Sequence, residues 1–135
     1  MTMRFSDQTE LQLQKFEQAL TTLEEAAAQD EDRKGRDSLL LRFVFTFEMA
    51  WQSIRAVLRD RGDDETPRVA FAALATGFKV GYLSDQALWK RLREARNGVS
   101  HAYDEDMAIG LAATVRADAL PEFKRLLTRL KSEAS

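Results

Sequence analysis

The chain has 135 residues, no cysteine and one histidine, and its 20 basic and 22 acidic residues leave a net charge of −2. These figures exclude disulfides, thiolate metal sites and any site that needs two histidines from one chain. They also exclude nucleic-acid binding through bulk positive charge, since proteins of that class are strongly basic, so any contact with nucleic acid must be local.

The amino-terminal residues Met1–Asp7 contain no apolar run of the signal-peptide type. No 18 consecutive residues are apolar, so we expect no transmembrane helix and no membrane partner. We predict a cytoplasmic protein. We also predict a single domain over residues 1–135, because chains of this length commonly form one hydrophobic core. We predict no cofactor and no metal, since the sequence lacks a phosphate-binding glycine loop, an HExxH motif and a calcium loop.

Helical patterns begin at the amino terminus and continue through the chain. Helix 1 is predicted over Asp7–Ala28, because its apolar residues recur at spacings of three and four. The polar run Gln29–Gly35 is predicted to be a loop, and helix 2 is predicted over Asp37–Arg61, ended by Gly62. One apolar face of helix 2 consists of Leu40, Phe43, Phe47, Ala50, Trp51, Ile54 and Leu58. A second consists of Leu41, Val44, Phe45 and Met49. Two apolar faces indicate a central helix, or one that lies between a core and a partner.

A third, shorter helix is predicted after Thr66-Pro67. These residues have the order of an N-cap followed by a proline at the first helical position. The helix is expected to run to about Phe78, with Gly77 and Gly81 breaking it.

Helix 4 is predicted to begin at a cap formed by Ser84 or Asp85. Its inward residues are Leu88, Trp89 and Leu92. The pair Asn97-Gly98 is expected to end it with a left-handed residue, which glycine adopts readily.

Helix 5 is predicted to be capped by Asp104, with Glu105 and Asp106 complementing the helix dipole. Its apolar residues are Leu111, Val115, Phe123, Leu126, Leu127 and Leu130. Pro121 should kink or restart it, because the proline ring clashes with the preceding turn. The predicted fold is all-α, an up-down bundle of four or five helices.

The segment around the single histidine has the residue types of a phosphodiester-cleaving site. His101 can take a proton from a ribose 2′-hydroxyl, Arg96 can bind phosphate and stabilise charge that develops on it, and Asn97 can orient the group. On a continuous helix Arg96 and His101 would point about 140° apart, so their convergence requires the break at Gly98. A site with one histidine per chain would need a second proton-transfer group, which a symmetric dimer could supply. Taken on spacing alone, such a pair is more often a surface arginine and a solvated histidine.

Two carboxylates are candidates to support this segment, Glu48 and Asp104. Glu48 lies in an apolar stretch and either faces the motif or pairs with an arginine such as Arg55 at helical spacing. We favour the pairing. Trp51 and Trp89 have the pattern of core or interface anchors.

Two segments together resemble one known family. The stretch Arg42–Trp51, RFVFTFEMAW, looks like the helix-2 signature of nucleotidyltransferase substrate-binding proteins, which belong to the HEPN superfamily and include HepT-like toxins. The stretch Arg96–Asp104, RNGVSHAYD, is similar to their R-N-x-x-x-H-x-Y segment. The resemblance extends from about Phe5 to Leu127. Gly98 departs from it, since a larger apolar residue is commoner there.

The resemblance implies a HEPN-like homodimer with two R-x4-H motifs at a shared cleft. It also implies a partner, a minimal nucleotidyltransferase encoded alongside. In the toxin branch the helical protein is a metal-independent endoribonuclease with RNA, not DNA, as its substrate. The transferase is the antitoxin and can AMPylate the tyrosine that corresponds here to Tyr103. Adenylation would place bulk and negative charge where RNA phosphate binds.

Two alternatives to a toxin-type nuclease stay open. The chain could be a non-catalytic subunit that binds or presents substrate to a two-component nucleotidyltransferase, as the acidic balance and the two-faced helix 2 suggest. It could also be a plain dimerisation module without a site. The presence of a nucleotidyltransferase gene next door would favour either of the first two hypotheses over the third.

Overall fold

The computed structural model describes residues 4–29, 31–63, 69–101 and 104–134. Its helices are α1 Asp7–Ala27, α2 Arg33–Asp60, α3 Ala70–Lys79, α4 Gln86–Val99, α5 Glu105–Thr114 and α6 Leu120–Ser132, with a π-helical turn, Val115–Ala119, joining the last two. These ranges contain no strand, so the predicted all-helical bundle is confirmed. No helix within them is both long enough and apolar enough to span a bilayer.

The first two helices form an antiparallel pair. The Ser6 hydroxyl caps α1 by accepting from the Thr9 backbone N–H at 3.2 Å, and the Thr9 hydroxyl donates to the carbonyl of Ala56 at 3.3 Å. Further along, the hydroxyl of Thr46 donates to the carbonyl of Ala19 at 3.2 Å. The predicted first helix is therefore confirmed to within one residue at its end.

The second helix starts four residues before its predicted start. Asp32 is its N-cap, and the carboxylate accepts from the Gly35 N–H at 2.7 Å. Arg36, which is buried, donates to Glu105 at 2.7 Å and so fastens this first turn to α5. The predicted loop over Gln29–Gly35 is wrong in its second half, because the cap and this distant carboxylate stabilise a first helical turn that contains Gly35.

The third helix differs from its prediction at Gly77, which does not break it. A Cβ there would lie 3.3 Å from a methyl carbon of Leu83, so the glycine allows a close approach inside the helix. Gly81 has a φ of +88° and lies just past the end of α3, as expected of a glycine that stops a helix. The predicted start at Thr66-Pro67 lies outside the described residues.

Pro121 distorts the carboxy-terminal helix without ending it. Proline has no N–H to donate, and in a regular α-helix its ring would clash with the carbonyl four residues earlier. The chain widens to a π-turn just before it, where the Leu120 N–H donates to the carbonyl of Val115, five residues back. The expected kink or restart therefore takes the form of a local change in helix type.

Phe123 lies at the centre of the core. Its ring is fully buried and lies 6.2 Å from Phe16 of α1, 6.1 Å from Phe43 of α2 and 6.1 Å from Trp89 of α4, centroid to centroid. Each such ring contributes about 1.5–3 kcal/mol by leaving water. One aromatic cluster thus holds four helices together and gives α2 and α4 a fixed relative position.

Candidate functional site

The fourth helix continues through the residue that was expected to stop it. Among the described residues only Gly62 and Gly81 have a positive φ, so Gly98 stays right-handed and α4 runs to Val99. A Cβ on Gly98 would lie in ordinary contact, 3.5 Å from Leu111. The predicted left-handed stop at Asn97-Gly98 is wrong, because tertiary packing against α5 overrides the local preference of glycine.

Arg96 is held by a carboxylate from α2. Oε1 of Glu48 accepts from Nε of Arg96 at 3.1 Å and from Nη2 at 2.5 Å, and Oε2 accepts from the indole N–H of Trp51 at 2.8 Å. Of the two alternatives for Glu48, this contact supports the carboxylate that faces the motif and not the pairing with Arg55 that we favoured. Two donors on one oxygen restrict the guanidinium to a narrow range of positions.

The remaining motif residues are at the exposed end of α4. Asn97 is exposed, and its side-chain oxygen accepts from Nη1 of Arg96 at 3.4 Å. His101 is exposed two residues past the helix, and its backbone N–H donates to the carbonyl of Gly98 at 3.0 Å. Asp104 accepts from the Met107 N–H at 2.7 Å and so caps α5 as predicted. The expected acceptor Tyr103 lies outside the described residues.

A groove that the sequence did not reveal lies beside Arg96. It has a volume of about 360 Å³ and is bordered by α2, the start of α3 and α4. Its polar lining residues are Glu48, Arg93, Arg96 and Asn97, and its aromatic ones are Phe47, Trp51 and Phe71. The guanidinium carbon of Arg93 lies 5.0 Å from the centroid of the Phe71 ring, which is a cation–π distance. The helical spacing of Arg93, Asn97 and Arg96 could have indicated that they share a face, but the contribution of Phe71 depends on tertiary structure.

Part of the second apolar face predicted for α2 is open to solvent. Leu41 is 68% exposed and Phe45 is 52% exposed. Given about 100° per residue, Leu41 lies about 20° from Glu48 around the helix axis and Phe45 about 60° from it. An exposed apolar stripe therefore runs up to the Glu48–Arg96 pair.

The pKa shifts that can be assigned belong to groups away from the motif. The pKa of Tyr82 is raised to about 12, first by burial and then by Glu133, whose carboxylate accepts from its hydroxyl at 3.1 Å. The pKa of Glu133 is lowered, chiefly by its hydrogen bond from Arg129. The pKa of Arg125 is raised by its hydrogen bonds to the buried Glu122. These groups join α6 to its neighbours and have a structural role.

The part of the chain that the structure describes holds no group of three or more histidine, cysteine, aspartate or glutamate side chains that could bind a metal ion. The described site consists instead of a guanidinium, an amide and an imidazole. Such groups can bind an anion and transfer a proton.

The chain is similar to a known protein family and to solved structures. The family model described as nucleotidyltransferase substrate binding protein like matches residues 11–132. A solved structure from Haemophilus influenzae, titled as revealing the fold of a substrate binding domain of a nucleotidyltransferase, is 25% identical, with a TM-score of 0.75 over 88% of this chain and 98% of that one. A crystal structure from Thermus thermophilus is 28% identical, with a TM-score of 0.69 over 87% of this chain and 96% of that one. Among curated proteins no significant match was found.

Proposed function

The chain belongs to the nucleotidyltransferase substrate binding protein-like family, and on that premise we propose that it is an RNA-cleaving partner of a minimal nucleotidyltransferase. The observation that carries the proposal is the clamp on Arg96 by Glu48, at 2.5 and 3.1 Å. Because Glu48 already restricts the side chain of Arg96, binding of a phosphate by Arg96 costs little side-chain entropy. Arg96 also lies at the rim of a groove, five residues from the exposed His101.

The proposed active unit is a homodimer. Arg96 and His101 lie five residues apart without an intervening left-handed turn, so one chain does not bring them together through a break in α4. The exposed stripe of Leu41 and Phe45 offers apolar area for a second copy. A two-fold axis along this stripe would place two copies of the motif at one cleft.

The proposed reaction is transesterification without a metal. His101 of one copy takes the proton of a ribose 2′-hydroxyl while the 2′-oxygen attacks the adjacent phosphorus. The bond from phosphorus to the 5′-oxygen breaks, and that oxygen takes a proton from the protonated imidazole of the second copy. Arg96 stabilises the charge on the non-bridging oxygens, and the products are a 2′,3′-cyclic phosphate and a 5′-hydroxyl.

The proposed control of this reaction is adenylation of Tyr103. The tyrosine oxygen would attack the α-phosphorus of ATP in the transferase, pyrophosphate would leave, and the phenol proton would be lost. The resulting phosphodiester adds a negative charge two residues from His101, which repels RNA phosphate. Mass spectrometry of the chain co-expressed with its transferase, with Tyr103→Phe as the control, tests the site of modification.

The proposal is tested by incubating purified chain with a mixed RNA substrate. The wild type should cleave RNA in the presence of a chelator, while His101→Ala and Arg96→Gln should not. Ser100→Ala is a matched control at a neighbouring exposed position and should cleave normally. Intact RNA with purified wild-type dimer, under conditions in which the protein is folded, would refute the nuclease.

A second candidate is a non-catalytic subunit that presents substrate to the transferase. It is favoured by the description of the family as substrate binding, and by Arg96, whose donors Nε and Nη2 already bind Glu48. This alternative requires a stable complex with the transferase and no growth defect when the chain is expressed alone. Growth arrest by wild type but not by His101→Ala would decide for the nuclease, and equal growth with an intact complex would decide for the presenting subunit.

A further inference from the structure

A second groove, larger than the one beside Arg96, lies between α3 and α4. Its volume is about 520 Å³, and its floor includes Leu74, Phe78 and Trp89. Phe71 and Arg93 border both grooves, so the two are continuous. The larger groove has no role in the chemistry proposed above.

The entrance of this groove has an aromatic ring in contact with a planar cation. Phe71 is 64% exposed, and Arg93 lies over its ring at 5.0 Å. A ring that is this exposed leaves most of its surface available to another planar group. Aromatic rings and guanidinium planes are the surfaces on which unstacked nucleobases bind.

The charge around the groove suits a phosphate chain. Its lining includes Lys90 and Arg93 and, within the described part of the chain, no carboxylate. Neither cation forms a salt bridge with a residue that the structure describes, whereas Arg91 on the same helix pairs with Asp118 at 3.7 Å. Local positive potential of this kind is what an overall acidic protein needs to bind an anionic strand.

The cations form a line that leads to the motif. Lys90, Arg93 and Asn97 are three and four residues apart, so they share one face of α4. The line covers about 10 Å along the helix axis, at 1.5 Å per residue, and ends at Asn97, whose neighbour is Arg96. A ligand that starts at Phe71 can therefore follow one helix face to the clamped arginine.

We propose that the groove at Phe71 binds one nucleotide of a single-stranded RNA, with its base stacked on Phe71 and its flanking phosphates on Lys90 and Arg93. This inference rests on the proposed function, since it takes RNA as the ligand of the motif. A duplex does not fit the site, because its bases are stacked on each other and cannot lie on the ring. The binding tolerates different bases, because every base has a face that can stack.

The test measures the affinity of a labelled 2′-O-methyl oligoadenylate, which cannot be cleaved, by fluorescence anisotropy. Phe71→Leu keeps an apolar side chain at an exposed position and should weaken binding roughly fivefold or more, which corresponds to about 1 kcal/mol of lost stacking. Lys90→Gln and Arg93→Gln should each lower the slope of log affinity against log salt by about 0.7. The matched control is Val80→Ala, an exposed apolar residue outside the groove, which should bind as wild type does.

Unlabelled competitors show whether the groove binds a single RNA strand, a duplex or a free nucleotide. A duplex of the same sequence and free AMP should both compete poorly with the labelled strand. Equal competition by AMP would assign the groove to a free nucleotide and overturn the proposal. So would a Phe71→Leu variant that keeps full RNA affinity but no longer binds the transferase, since the groove would then be a protein-docking surface.

Failure of this inference can be distinguished from failure of the proposed function. If the wild type binds the oligonucleotide through Phe71 but never cleaves RNA, the nuclease is refuted and the binding groove stands. If the wild type cleaves RNA but Phe71→Leu binds as tightly as wild type, the nuclease stands and the binding groove is refuted.

Discussion

The contact between Glu48 and Arg96 makes a quantitative prediction about stability. The perturbation is Glu48→Gln, which removes the charge but keeps an oxygen that can accept from the indole of Trp51 at the observed 2.8 Å. Its partner is Arg96→Gln, and the third variant carries both changes. Together with the wild type they form a double-mutant cycle, which isolates the energy of the pair.

The expected coupling follows from geometry and exposure. A hydrogen bond to a charged group contributes about 1.5–3 kcal/mol when it is shielded from water, and an exposed ion pair about 0.2–1 kcal/mol. The side chain of Arg96 is 40% exposed and that of Glu48 is 27% exposed, so the pair lies between these cases. We expect a coupling of about 1 kcal/mol, and each single variant should melt roughly 4 °C below wild type.

The assay is urea unfolding followed by circular dichroism, at low and at high salt. The coupling should fall as sodium chloride rises, because the Debye length shrinks from about 10 Å at 0.1 M to about 3 Å at 1 M. The control cycle uses Arg91 and Asp118, which approach only to 3.7 Å with side chains 53% and 34% exposed, and its coupling should be close to zero. If the two cycles gave the same coupling, Glu48 would not restrain Arg96 and the reasoning from the structure would be refuted.

Glu48→Gln also shows whether Glu48 positions Arg96 in the proposed nuclease or contributes to substrate binding. Glu48→Gln should lower kcat about tenfold, since Arg96 is no longer held toward the phosphate. KM should not rise, because the change removes a negative charge beside an anionic substrate. A higher KM at unchanged kcat would show that Glu48 does not act through Arg96.

The remaining predictions concern the backbone at two glycines and one buried hydroxyl. Gly98→Ala should stabilise the protein by about 0.5–1 kcal/mol in urea unfolding, because α4 is right-handed there and the added Cβ has room. Gly62→Ala should destabilise it by about 1 kcal/mol, because the φ of Gly62 is +99°. If Gly98→Ala were instead the less stable of the two variants, the observed end of α4 would be contradicted. The raised pKa of Tyr82 stabilises the fold fully below pH 10, and this contribution is lost as pH rises to about 12. Tyr82→Phe should therefore unfold more easily at neutral pH, by about 1 kcal/mol, and should lose less stability than wild type between pH 10 and 12. Parallel pH profiles of the two proteins would contradict the raised pKa of Tyr82.

The sequence predicted the elements whose causes are local. The spacing of apolar residues located α1 almost to the residue. Asp104 caps α5 as predicted, accepting from a backbone N–H at 2.7 Å, and Asp85, one of the two predicted candidates, caps α4 in the same way at 3.0 Å. These features depend on residues within one turn of each other, which is the range that spacing rules cover.

The errors arose where distant residues decide the local structure. The first turn of α2 depends on Arg36, which binds Glu105 at 2.7 Å, 69 positions away in sequence. The continuation of α4 through Gly98 depends on packing against Leu111. Glu48 was identified as a candidate, but only the fold could choose Arg96 over Arg55 as its partner. The site was therefore predictable as a set of residues but not as a set of contacts.

The π-turn at Val115–Ala119 has a consequence for how this chain tolerates insertions and deletions. A π-turn contains one residue more than the α-turn it replaces, so removing a residue from this stretch keeps both flanking faces in place. The regular helix that results would bring back the clash of the Pro121 ring with the carbonyl four residues earlier. The same deletion inside α6 would rotate everything beyond it by about 100° and turn the side chains that follow, Phe123 among them, out of the core. Relatives of different length should therefore place a one-residue gap here more readily than elsewhere in the last helix, and an engineered deletion at this turn, combined with Pro121→Ala, should leave the protein folded.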